Sequence, residues 1–164
     1  MVIRYNAEMP YLIDGHNLIP QVGLRLSDPD DEMELVNLLG EFCRLSRKRA
    51  EVYFDGAGPG QIPIRKQGAV TAHFVRSPVP ADDAIAARLR QLGGDARNWT
   101  LVSSDQRVQA EARAAHAEVL PSALFARQIM EKLKFGKTKS AHDGESMTAA
   151  ELREWLEIFN KKVK

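Results

Sequence analysis

A chain of 164 residues is the length of one domain with at most an appended element, and it excludes two full-sized enzymatic halves. Its 44% hydrophobic and 27% charged residues are ordinary globular material, which excludes wholesale disorder and fibrous repeats. The 23 basic and 22 acidic side chains sum to +1, excluding a histone-like nucleic-acid glue, but the sum hides a split: residues 1–43 hold two basic and eight acidic side chains, leaving 21 against 14 in the rest.

In chain order, Tyr11-Leu12-Ile13 is an apolar burst closed by Asp14-Gly15, the pattern of a buried strand that delivers a carboxylate at its C-terminal end. From Asp31 to Arg49, Met33, Leu35, Val36, Leu38, Leu39, Phe42, Cys43 and Leu45 recur at helical spacing, with acids early and bases late as the helix dipole favours. Glu51 to Asp55 is a second short strand ending in an acid, followed by the loop Gly56 to Gly60. Ala69 to Val75 alternates as a strand does and is closed by Pro78 and Pro80. A helix is predicted over 81–92, with Asp82 and Asp83 in its first turn and Gly93-Gly94 as its stop. Trp99 to Val102 is a third apolar strand, leading through Ser103-Ser104 to Asp105. Val108 to Ala115 then form a helix, Ala117 to Leu120 a short strand, and Ser122 to Phe135 an amphipathic, increasingly basic helix.

Strands alternating with helices predict a three-layer α/β domain with a mostly parallel sheet over residues 1–135. Residues 136–147 read as a polar linker. Thr148 to Glu151 is a capping box opening a last amphipathic helix over 148–164, whose Trp155 and Phe159 need a surface to cover, in cis or in a homodimer. The lone Cys43 forms neither an internal disulfide nor a four-ligand zinc site, and reads as a small buried apolar residue. No apolar run approaches the roughly 20 residues that span a bilayer, and the start has no apolar core of signal-peptide length, so the expectation is a cytoplasmic protein with no membrane partner.

In a parallel sheet the carboxyl ends of the strands face one crevice. Asp14, Asp55 and Asp105 follow strands, and Asp82-Asp83 opens a helix after a turn, so acids from distant stretches converge. Crowded carboxylates repel and raise one another's pKa unless a cation neutralises them. Mg²⁺ or Mn²⁺, which take hard oxygen ligands and retain waters, are the natural occupants, and the chemistry they support is phosphoester hydrolysis. Each acid also has a plainer role: Asp83 as cap of the following helix, Asp105 as cap of the helix from 106, and Asp55 before Gly56 as a turn former.

Tyr11-Leu-Ile-Asp-Gly-His-Asn17, Val52-Tyr-Phe-Asp55-Gly, Ala81-Asp82-Asp83-Ala-Ile85 and Leu101-Val-Ser-Ser-Asp105 together resemble, in order and spacing, the motifs of the NYN domain family, a branch of the PIN-like nucleases, and fit its YacP-like members best. The resemblance covers about residues 10–130. It implies a PIN-like fold and a metal-dependent endoribonuclease using Mg²⁺ or Mn²⁺, with Asp14, Asp82 and Asp105 as metal ligands. Asp83 would be a further ligand or water-orienting acid, Asn17 would orient substrate or the ligand shell, and Ser103 and Ser104 would donate to phosphate or hydrogen-bond to the groups behind the ligands. His16 stands where the family often has tyrosine, and the acid usually supplied before the last catalytic strand has no match here, since Asp95 sits beside Gly94.

Binding a nucleic-acid backbone needs cations. The candidates are Arg65, Lys66 and Arg76, then Arg107 two residues beyond Asp105, and the run Arg127, Lys132, Lys134, Lys137 and Lys139. With 7% aromatic residues and no recognition module visible, specificity is expected from RNA shape or from a host such as the ribosome, which the resemblance also points to. The alternative in another class is a non-catalytic RNA- or ribosome-binding module of the same fold. A receiver or phosphatase reading fails because His16, not Asp, stands two residues after Asp14.

Overall fold

The computed structural model describes residues 9–24 and 30–141. The helix expected over 148–164 lies outside these residues. Six strands form one sheet in the order β3-β4-β2-β1-β5-β6. These are β1 (Tyr11–Asp14), β2 (Ala50–Ala57), β3 (Ile64–Gln67), β4 (Val70–Arg76), β5 (Thr100–Val102) and β6 (Glu118–Leu120). All pairings are parallel except β3 with β4. The helices are α1 (Gly15–Leu18), α2 (Asp30–Ser46), α3 (Ala81–Leu92), α4 (Gln106–Ala114) and α5 (Ser122–Ala141), with short 3₁₀ turns at Ile19–Val22 and Gly93–Asn98.

The two-residue alternation of a strand decides the layers. Tyr11, Ile13, Val52 and Phe54 point to one face and pack with Leu35, Leu39 and Phe42 of α2 and Phe125 and Ile129 of α5. Leu12, Tyr53 and Leu101 point to the other and meet Ile85 and Leu89 of α3 and Val108 and Ala112 of α4. Both faces of β1 are therefore covered, which is why its sequence is a continuous apolar burst.

The chain steps from β1 to β2 to β4 on one side of the sheet, then returns to place β5 on the other side of β1. A reversal of this kind leaves a crevice beyond the carboxyl ends of the two strands that flank it, here β1 and β5.

The expected elements hold, with three differences. First, β2 does not stop at Asp55: it continues to Ala57 through a shift in register between Phe54 and Ala57, with Gly56 at φ +78°. Such a bulge re-aims a side chain while the strand goes on. Second, Ile64–Gln67 forms a short antiparallel edge strand that its exposed, non-alternating residues did not reveal. Third, α5 runs to Ala141, past Gly136, where a linker was expected. One glycine inside a helix costs about 1 kcal/mol, too little to stop a run that its neighbours favour.

Candidate active site

Asp14 is the last residue of β1, and the chain turns at once into α1. That turn depends on Gly15, because a Cβ there would lie 2.3 Å from Cε1 of Phe54 and 2.9 Å from the Tyr53 carbonyl oxygen. Burial pushes the Asp14 carboxyl up to about 6; the charges of Asp55 and Asp82 add to the rise, while the Asn17 backbone N–H and His16 oppose it. Asp14 thus sits within electrostatic range of two other acids brought from β2 and α3, the convergence that the strand ends led us to expect.

Asp82 and Asp83 occupy the first turn of α3, where the helix dipole favours carboxylates. The helix is not capped by Asp83. Its N-cap is Pro80, and the Ala81 N–H is satisfied from β2, donating to Asp55 Oδ2 at 3.0 Å. Both acids of α3 instead face α4: Arg107 Nη2 donates to Asp83 Oδ1 at 2.7 Å, and Nη1 reaches Asp82 Oδ2 at 3.4 Å. Arg107 is therefore at the crevice, as its spacing from Asp105 suggested, but its guanidinium is engaged with carboxylates.

Asp105 caps α4. Its Oδ1 accepts from the backbone N–H groups of Arg107 at 2.9 Å and Val108 at 3.2 Å. These bonds use one oxygen and leave Oδ2 for another partner. Among the described residues no group of three His, Cys, Asp or Glu side chains is placed to hold a metal ion, so the expected triad Asp14, Asp82 and Asp105 is not gathered as a ready cage. The contacts show where these groups are engaged: one oxygen of Asp105 serves as the cap of α4, and the negative charge of Asp82 and Asp83 is met by Arg107. The donor chemistry still fits a hard divalent ion. All the groups are carboxylates, Asp14 is held among acids at the cost of a raised pKa, and Mg²⁺ characteristically takes one or two carboxylates and completes its shell with water. Asp14 and Asp82, which lie within electrostatic range of each other, could serve as those donors.

Three of the residues expected to contact substrate lie behind or away from the acids. Ser103 is fully buried, and its hydroxyl accepts the Asp105 N–H at 3.0 Å, so it shapes the turn from behind. Arg65 and Lys66 lie on β3, three strands from β1, or roughly 14 Å at the usual strand spacing. Because β3 runs antiparallel, Lys66 is carried to the opposite end of the sheet, where it lines a cavity of about 400 Å³ with Arg49 and Trp99. Ser104 is exposed and remains beside the crevice, although its hydroxyl also accepts the Ser122 N–H at 3.1 Å.

Asn17 is brought to the site but not as a free substrate contact. Its Oδ1 accepts from the Ser104 N–H at 2.8 Å and the Ser122 hydroxyl at 2.5 Å, tying α1, the β5–α4 turn and α5 together. His16 resolves as a bridge: Nε2 lies 2.6 Å from Glu32 Oε2, and Nδ1 lies 3.1 Å from Asp55 Oδ1. Both ring nitrogens face carboxylates, so the imidazolium is favoured, and its pKa is raised, chiefly by the hydrogen bond to Glu32. Glu32 was missed as a site residue, since an acid in the first turn of a helix is already accounted for by the dipole.

Fold and site together define a three-layer α/β domain of the PIN-like nuclease class, with acids from β1, β2 and α3 at the carboxyl end of a parallel sheet. The chain belongs to the YacP-like NYN domain family, which it matches over residues 11–162. It is similar in structure to Rae1 (YacP) from Bacillus subtilis, at 20% identity with 93% of each chain covered and a TM-score of 0.64. A single-substitution variant of that protein gives 16% identity, 87% coverage of this chain and 88% of that one, and a TM-score of 0.60. No curated protein sequence shows significant similarity to the chain. No helix among the described residues is long and apolar enough to cross a membrane.

Proposed function

We propose that the protein is a metal-dependent endoribonuclease that hydrolyses phosphodiester bonds at the crevice between Asp14, Asp82, Asp83 and Arg107. The observation that carries this reading is the placement of Asp14: a half-buried carboxylate at the end of a central strand, within electrostatic range of Asp55 and Asp82, with its pKa raised to about 6. A carboxylate held at a position that costs stability in this way is characteristic of a functional group. Membership of a nuclease-fold family supports the same conclusion.

In this mechanism Asp14 and Asp82 would hold Mg²⁺ or Mn²⁺, which supplies activation of water and screening of the scissile phosphate. Asp83 orients water or ligand beside Asp82. Asp105 holds the first turn of α4 in position, and Ser104 and Arg107 present donors to the phosphate. Asn17 keeps the Ser104 backbone where those donors can act. The substrate is RNA, held weakly: residues 44–139 carry 17 basic and nine acidic side chains, and three of the nine are in the site. A weak, shape-dependent hold of this kind suits a nuclease that works in the cytoplasm on RNA presented by a host assembly, with the ribosome as the candidate.

The test is cleavage of a structured RNA by purified protein with Mn²⁺ or Mg²⁺. Asp14→Asn and Asp82→Asn should each abolish cleavage while circular dichroism shows an intact fold. Equal cleavage by wild type and Asp82→Asn would overturn the reading. One observation favours the alternative of a non-catalytic RNA- or ribosome-binding module, namely that Arg107 already neutralises Asp82 and Asp83. On that reading RNA binding persists in chelator and no divalent ion is taken up.

A further inference from the structure

We propose that Arg107 is a built-in counter-ion that competes with the divalent ion for Asp82 and Asp83, and that the ion must displace it to enter the site. The inference rests on the nuclease reading above, since it concerns how the same acids are loaded. Its basis is the geometry of one side chain. Arg107 stands in the first turn of α4 and spans to the first turn of α3, placing one guanidinium nitrogen on each of two adjacent carboxylates. Asp82 Oδ2, the oxygen that Arg107 takes, is the one left over, because Oδ1 accepts the Asp83 N–H.

A guanidinium and a divalent ion cannot share that oxygen pair. Both are cations, and bringing the second to within a few ångströms of the first sets like charges together at close range. Arg107 is nevertheless poorly held: its side chain is 66% exposed, against 45% for Asp83 and 21% for Asp82. An ion pair so wet contributes little and exchanges readily. The acid pair is thus neutralised by a group that is cheap to remove and long enough to swing away. Once released, Arg107 remains on the rim of the crevice with five donors suited to a phosphate. Loading of the ion and presentation of an anion-binding group become one event. The arrangement also accounts for why the acids are not gathered into a three-carboxylate cage.

The experiment is Mn²⁺ binding by isothermal titration calorimetry to wild type, Arg107→Gln, Arg107→Lys and Arg113→Gln, with a parallel Mg²⁺ titration that follows the Arg107 side-chain N–H signal by NMR. Arg107→Gln should bind Mn²⁺ about two- to fivefold more tightly than wild type, and Arg107→Lys should stay near wild type. Arg113→Gln makes the same charge change almost two turns along α4 and should leave affinity unchanged. The Arg107 signal should move on addition of Mg²⁺ in wild type and stay fixed in Asp82→Asn. Equal affinity in Arg107→Gln and wild type, or an equal gain in Arg113→Gln, would overturn the competition while leaving the acid site standing. If neither wild type nor Arg107→Gln takes up Mn²⁺, the metal reading and the inference fall together.

Discussion

Asn17 and Ser122 stand 105 positions apart in the chain and meet in a 2.5 Å hydrogen bond, the Ser122 hydroxyl donating to the Asn17 amide oxygen that also accepts the Ser104 N–H. Ser122 is fully buried and Asn17 half-buried, so this is a partly buried bond at the base of the site. Asn17→Ala would strip the acceptor from both donors and leave the Ser122 hydroxyl unsatisfied. The expected loss is on the order of 1–3 kcal/mol, read as a lower urea midpoint with unchanged slope. Asn17→Asp, which keeps the acceptor, should recover most of it. A residue whose only role was to touch substrate would leave the midpoint where it was.

Asp14 predicts the opposite sign. Its folded pKa of about 6 lies above the ordinary carboxylate value, so the folded state binds this proton more tightly than the unfolded state and stability falls as pH rises from about 4 to 6. At pH 7.5 in chelator, Asp14→Asn should therefore be more stable than wild type, by on the order of 2 kcal/mol. The gain should vanish below about pH 4. A Tm that drops on Asp14→Asn at neutral pH would contradict the burial argument.

His16 carries a raised pKa from its bonds to Glu32 and Asp55, so its contribution is complete below the unfolded value near 6.5 and is lost as pH rises through the higher folded value. Comparing wild type with His16→Gln by thermal unfolding should show a large difference at pH 6 that narrows steadily in alkaline buffer. The bridge also ties α2 to β2, so hydrogen exchange in the first turn of α2 should become faster in His16→Gln.

Gly15→Ala tests the tightest contact at the site. The added carbon would overlap the Phe54 ring, which is fully buried against Phe74 and cannot swing aside. Overpacking of this kind costs typically about 1–3 kcal/mol. Double replacement with Phe54→Leu should restore part of the loss, which guanidinium denaturation would measure as a coupling between the two positions.

The strands that carry the site were readable because both of their faces are buried, so β1, β2 and β5 each appear as short apolar bursts. The helix over 81–92 was readable to its ends because proline and glycine bracket it, and the cap role of Asp105 was anticipated from its position before α4. What escaped notice depends on elements meeting across the fold. Ile64–Gln67 borrows its strand character from β4 and has no buried face to signal it. The pairing of His16 with Glu32 needs α2 to return over α1, and the engagement of Arg107 needs α3 and α4 to lie side by side; neither is encoded by local spacing. The strand-end acids pointed to one crevice, but the sharing of Asp105 between cap and site follows from bonds that only the turn geometry decides.

The pin at Asn17 also sets an order of assembly. The turn that presents Asp105 and Arg107 is fastened from behind by residue 17 and, through Ser104, by residue 122, so the second of these anchors needs the start of α5 in place. Because a polypeptide is made from its N-terminus, the anchor at Ser122 reaches the turn only after Asp14, Asp82, Asp83 and Asp105 have all been synthesised.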